Sequence, residues 1–127
     1  RLADILKLHP KVLKNKVSSY SKGMGQKLDI LSAMLVNTPF LMLDEPMSGL
    51  DPSARIALKD ALIDYVKSNK DHTIFFSSHI LADIDEICGR MAVLHDTKII
   101  YEGAPEEFKK KQKIDNLERA FLKAISS

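Results

Sequence analysis

The chain has 127 residues, of which 45% are apolar and 28% charged, a balance that suits one globular domain or part of one. A net charge of +2 gives no electrostatic ground for a nucleic-acid partner, and a lone cysteine, Cys88, excludes an internal disulfide framework and fits a reducing, cytosolic compartment. No apolar run approaches the roughly 18 residues that a membrane span requires. Residues 1–8 read as a short amphipathic helix ended by Pro10, not as a signal peptide, and Leu13 and Val17 continue into a second short helix. The chain opens on Arg1, which suggests an excised or processed piece. Residues 18–25 are rich in Ser and Gly and punctuate the chain, after which 26–36 shows helical apolar spacing through Leu28, Leu31 and Leu35. Asn37-Thr38-Pro39 stops that helix.

The run FLML at 40–43 is all apolar, the pattern of a strand buried on both faces of a parallel sheet. Asp51 and Pro52 supply an N-cap and a first-turn proline for a helix reaching about residue 68, with Leu58, Leu62 and Val66 as its buried stripe. A second β-rich strand spans 73–77, and a helix follows over 80–88, ended by Gly89. Residues 91–94 and 98–101 form a hairpin around Asp96-Thr97. A helix opens at Pro105-Glu106-Glu107, and its late lysines (109–111 and 113) complement the helix dipole as a solvated face. Leu117, Phe121 and Ile125 give the last helix a packing stripe. Alternating strands and helices predict an α/β sheet.

Four segments carry chemistry. FLMLDEP at 40–46 ends a buried strand in two acids, at the sheet edge where open α/β folds bind ligands. Because successive side chains of a strand alternate, Asp44 can serve a metal while Glu45 faces a water. A polar turn after a strand explains the pair equally well. SGLDP at 48–52 is locally a glycine turn into a capped helix. His79 lies just beyond the second strand, where an imidazole can donate to a phosphate oxygen or play a structural part. His9, His72 and His95 lack such a context and read as structural. In YSKGMGQKL at 20–28, Ser21, Lys22 and Gly23 at a helix start offer backbone N–H groups, a hydroxyl and positive charge to an anion, or simply a Ser-capped helix.

Taken in order, these elements resemble the ATP-binding domain of ABC transporters over residues 1 to 110. YSKGM is similar to that family's LSGGQ signature, FLMLDE to its Walker B strand, SGLD to its D-loop and His79 to its switch histidine. The resemblance implies the C-terminal part of a P-loop NTPase core, mainly a parallel sheet flanked by helices, with part of the helical signature subdomain. It assigns residues 1–38 to that subdomain, 39–104 to the catalytic α/β core and 105–127 to C-terminal helices. It also implies that Asp44 positions Mg²⁺ through coordinated water, that Glu45 is the catalytic base and that His79 touches the γ-phosphate of ATP. Ser48, Gly49 and Asp51 would communicate across a head-to-tail dimer with a second ATPase subunit. Ser21, Lys22, Gly23 and Met24 would meet the ATP bound on that subunit.

Transmembrane permease subunits, no nucleic acid, and a cytoplasmic position at the inner face of the cell membrane follow from the same resemblance. Tyr20, Lys22 and Met24 depart from the signature, in a way similar to ATPase subunits of ABC-2-type exporters, and leave no glutamine at its last position. The five glycines, at 23, 25, 49, 89 and 103, include no G-x-x-x-x-G-K-[ST], so the Walker A loop and Q-loop are expected upstream of Arg1. The chain alone is then expected not to hydrolyse ATP. The alternatives are a soluble ABC ATPase with no membrane partner, acting on ribosomes or DNA, and a non-catalytic module that binds partners.

Overall fold

A computed structural model describes residues 22–126, which fall into two compact units that divide between Ser78 and His79. In the first unit, helix α1 (Lys22–Leu35) leads into strand β1 (Phe40–Leu43), helix α2 (Pro52–Ser68) and strand β2 (Thr73–Phe76). The helix starts four residues earlier than the apolar spacing alone predicts, so Gly23 and Gly25 lie within it. Ser21, and the two short helices expected before it, lie outside the described residues.

Strands β1 and β2 pair in parallel with Leu41 opposite Ile74 and Leu43 opposite Phe76, and the Ser77 N–H extends the ladder to the Leu43 carbonyl at 3.0 Å. Leu41 is buried, but Phe40 and Met42, which point the other way, are 52% and 68% exposed. The expectation of a strand covered on both faces therefore fails within the described residues: Phe75, paired with Met42, shares the bare face. Helix α2 buries Ala54, Leu58, Ala61, Leu62 and Tyr65. Its stripe thus passes through Tyr65, and Val66, expected inside, sits at the margin. Tyr65 wins the inner place because its ring stacks on buried His72 at 4.3 Å while its hydroxyl donates to the Thr38 carbonyl at 2.8 Å. His72 Nδ1 in turn donates to the Tyr65 carbonyl at 2.9 Å, a structural role as expected.

The second unit holds helix α3 (Leu81–Ile87), the antiparallel hairpin β3 (Met91–His95) and β4 (Lys98–Gly103), and helices α4 (Pro105–Gln112) and α5 (Leu117–Ile125). Asp96 and Thr97 both take positive φ, as a two-residue type I′ turn requires. Gly103, at φ 154°, has no room for a side chain, since a Cβ there would stand 2.5 Å from the Tyr101 hydroxyl. That hydroxyl donates to the Ala104 carbonyl, and the Tyr101 ring tilts onto fully buried Phe108. Lys109 bridges Asp85 at 2.8 Å and Glu106 at 2.6 Å, and both carboxylates hold its ammonium above the usual lysine range. Burial pushes the Cys88 thiol up to about 11, which marks it as a packing residue and not a nucleophile at neutral pH.

Leu58 is completely buried, whereas Leu122 is 53% exposed. Leu58→Ala should therefore cost about 3 kcal/mol of unfolding free energy, and Leu122→Ala no more than about 0.5. Urea midpoints of the two variants check this ordering.

Candidate functional site

The site is built at the C-terminal end of β1, where the chain must leave a regular strand and turn into α2. Asp44 is exposed and Glu45 half-buried, and Pro46 and Met47 behind them are buried. Glu45 makes this turn possible by adopting φ 46°, a left-handed conformation that non-glycine residues rarely take.

Three groups hold the Glu45 backbone in that conformation. Its N–H donates to the Ser77 hydroxyl at 2.9 Å. Its carbonyl accepts from the Gln26 side-chain amide at 3.1 Å and from the Ser48 N–H at 3.1 Å. The same amide reaches the Pro46 carbonyl at 3.3 Å, so α1 is tied directly to the residues that follow the strand. The Ser77 hydroxyl also donates its own proton to Asp44 Oδ1. Neither Gln26 nor Ser77 was singled out by sequence. Gln26 sits in an apolar helix with nothing to mark it, and Ser77 is visible only as a polar residue closing an apolar strand beside the acids.

Beyond Ser48, Gly49 takes φ 71° and lets the turn close before buried Leu50. Asp51 caps α2: its carboxylate accepts from the Ala54 N–H at 3.0 Å and from the Ser53 hydroxyl at 2.7 Å. The Ser53 hydroxyl first, then the Ala54 N–H, with Lys27 charge also contributing, hold the Asp51 carboxyl below its ordinary range. The structure thus gathers Asp44, Glu45, Ser48, Gly49 and Asp51 on one short segment. His79 is exposed and opens the second unit, directly after the Ser77-Ser78 pair. Lys22, Gly23 and Met24 form the first turn of α1, and Ser21 lies outside the described residues.

Among the described residues no three His, Cys, Asp or Glu side chains converge as a metal cage. Asp44 stands exposed with one carboxylate oxygen engaged by Ser77. A donor set of one or two carboxylates suits a hard cation such as Mg²⁺, which keeps several waters and takes its remaining ligands from phosphates.

Residues 1–48 match the sequence profile of the family described as ABC transporter. An uncharacterized ABC transporter ATP-binding protein of Synechocystis is 38% identical over 107 residues, covering 84% of this chain and 30% of that protein. A solved structure of an ATP binding subunit of an ABC transporter superposes with a TM-score of 0.86 at 27% identity, over 98% of this chain and 51% of that one. The chain is similar to part of the ATP-binding proteins of ABC transporters. A fluoroquinolones export ATP-binding protein of Mycobacterium tuberculosis is 38% identical over 93 residues, covering 73% of this chain and 30% of that relative. The α/β arrangement and the order of elements are those expected, and the chain spans about a third of these two relatives. No helix among the described residues is long and apolar enough to cross a membrane.

Two measurements test how this segment is held. Gln26→Leu removes both amide hydrogen bonds to the turn and should lower unfolding free energy by about 1–2 kcal/mol, read from urea denaturation. For Asp51 the folded-state pKa is depressed, so its charge stabilises above the unfolded value of about 4 and ceases to do so as pH falls through the folded one. The gap in thermal midpoint between the native chain and Asp51→Asn should therefore shrink in acid. A gap independent of pH would contradict the cap's ionic character.

Proposed function

We propose that the whole protein is the nucleotide-binding subunit of an ABC transporter, and that this segment supplies its hydrolytic and dimer-facing residues. One observation carries the reading: consecutive acids leave a parallel strand, the second held at positive φ, in a chain similar to ATP-binding proteins of transporters. Glu45 polarises the attacking water, and His79 donates a hydrogen bond to the γ-phosphate. Mg²⁺, held with Asp44 through coordinated water, would neutralise charge developing on the phosphates.

Ser48, Gly49 and Asp51 face a second ATPase subunit in a head-to-tail dimer. Ser21, Lys22, Gly23 and Met24 meet the ATP bound by that subunit, where the helix N-terminus favours an anion. Residues 1–38 then belong to a helical subdomain, 39–104 to the catalytic core and 105–127 to C-terminal helices. Transmembrane permease subunits complete the assembly at the cytoplasmic face of the membrane, and hydrolysis is coupled to transport. The word export in the name of the Mycobacterium relative supports an outward direction.

In the intact protein, Glu45→Gln should lower phosphate release by roughly 10²–10⁴-fold while ATP still drives dimerisation, seen by size-exclusion chromatography with and without nucleotide. Normal turnover in that variant would remove Glu45 from the role of base.

A further inference from the structure

The Ser77 hydroxyl is the point at which both acids meet. It closes β2, and its backbone N–H donates to the Leu43 carbonyl at 3.0 Å, which fixes Ser77 against the end of β1. From that position a single hydroxyl accepts the Glu45 N–H at 2.9 Å and donates to Asp44 Oδ1. The two bonds have different consequences. The first supplies an acceptor to an amide at positive φ, and so helps to hold the left-handed backbone of Glu45. The second restrains the Asp44 side-chain torsions, yet occupies only one oxygen of a carboxylate that can accept about four hydrogen bonds.

Polar residues that orient a carboxylate from behind commonly alter metal affinity or activity by about 10–100-fold. We infer that Ser77 is a positioning residue that sets the geometry of both acids at once, orienting Asp44 towards the cation and Glu45 towards the water; this rests on the roles proposed above for Asp44 and Glu45. A hydroxyl is required because the position must accept and donate simultaneously. Alanine can do neither, whereas threonine can do both and suits a strand end.

The test uses the intact protein with Ser77→Ala and Ser77→Thr. In nucleotide-free protein labelled with ¹⁵N-glutamate, the Glu45 amide should exchange with solvent at least about 10-fold faster in Ser77→Ala and near the native rate in Ser77→Thr. In steady-state ATPase assays, Ser77→Ala should raise the Mg²⁺ concentration for half-maximal rate by about 10-fold, with Ser77→Thr within about twofold of native. Unchanged amide exchange and Mg²⁺ dependence in Ser77→Ala would overturn the inference. So would equal losses in both variants with no shift in Mg²⁺ dependence, which would mark Ser77 as packing alone. If Glu45→Gln retains normal turnover, the assignment of the base falls, while amide exchange still decides whether Ser77 holds the Glu45 backbone.

Discussion

The left-handed backbone of Glu45 is the constraint on which the first unit depends, because it lets a strand end, turn and start a helix within nine residues, from Leu43 to Asp51. A non-glycine residue at φ 46° costs about 1–2 kcal/mol, and such a conformation persists only where neighbours over-determine it. Here they come from three separate elements. Ser77 arrives from the end of β2, Gln26 from α1, and Ser48 from the turn itself. The Glu45 carbonyl has two of these donors and its N–H has the third group as acceptor, so removing any one weakens the hold on a strained torsion.

Packing explains why the supports stay in place. Pro46 and Met47 are buried immediately behind the acids, and Leu50 is buried after Gly49. The turn is pinned by apolar side chains on its inner side and leaves Asp44 exposed on the outer one. Helix α2 then starts where Asp51 caps it, with Ser53 adding a hydrogen bond to the same carboxylate. The cap engages the Asp51 carboxylate through Ser53 and Ala54. Any part it plays towards a second subunit must therefore come from a residue already committed to its own helix.

The order of elements and most of their bounds were legible in the sequence because each rests on a local rule. Proline and aspartate start α2, the Asp96-Thr97 pair turns the hairpin, and Pro105 opens α4. The acids were legible as a motif, since an apolar run that stops at Asp44-Glu45 announces a strand end. What holds them was not. Gln26 reaches Glu45 across 19 positions and Ser77 reaches it across 32, and no periodicity records contacts at that separation. The bare face of β1 has a related origin: an all-apolar run shows that a strand can be covered twice, but not that both covers lie among its own neighbours. Phe40, Met42 and Phe75 share that face and remain exposed. Tyr65 takes the inner place expected of Val66 because it has a stacking partner in His72 that helical spacing cannot reveal.

Gln26 adds a mechanical consequence to the family reading. It lies one turn into α1, the helix that begins with Lys22-Gly23-Met24, and its amide grips the carbonyls of Glu45 and Pro46. The segment assigned to meet nucleotide on a second subunit and the segment assigned to hydrolysis are thus joined by two hydrogen bonds on one side chain. A rotation of α1 that displaced Gln26 by an ångström or two would stretch both bonds beyond useful length, and the Glu45 carbonyl would lose the Gln26 amide while keeping the Ser48 N–H. Of the two ends of this link, the helix is the stiffer body, because its backbone is already hydrogen-bonded along its length. Displacement is therefore absorbed at the turn, where the acids are.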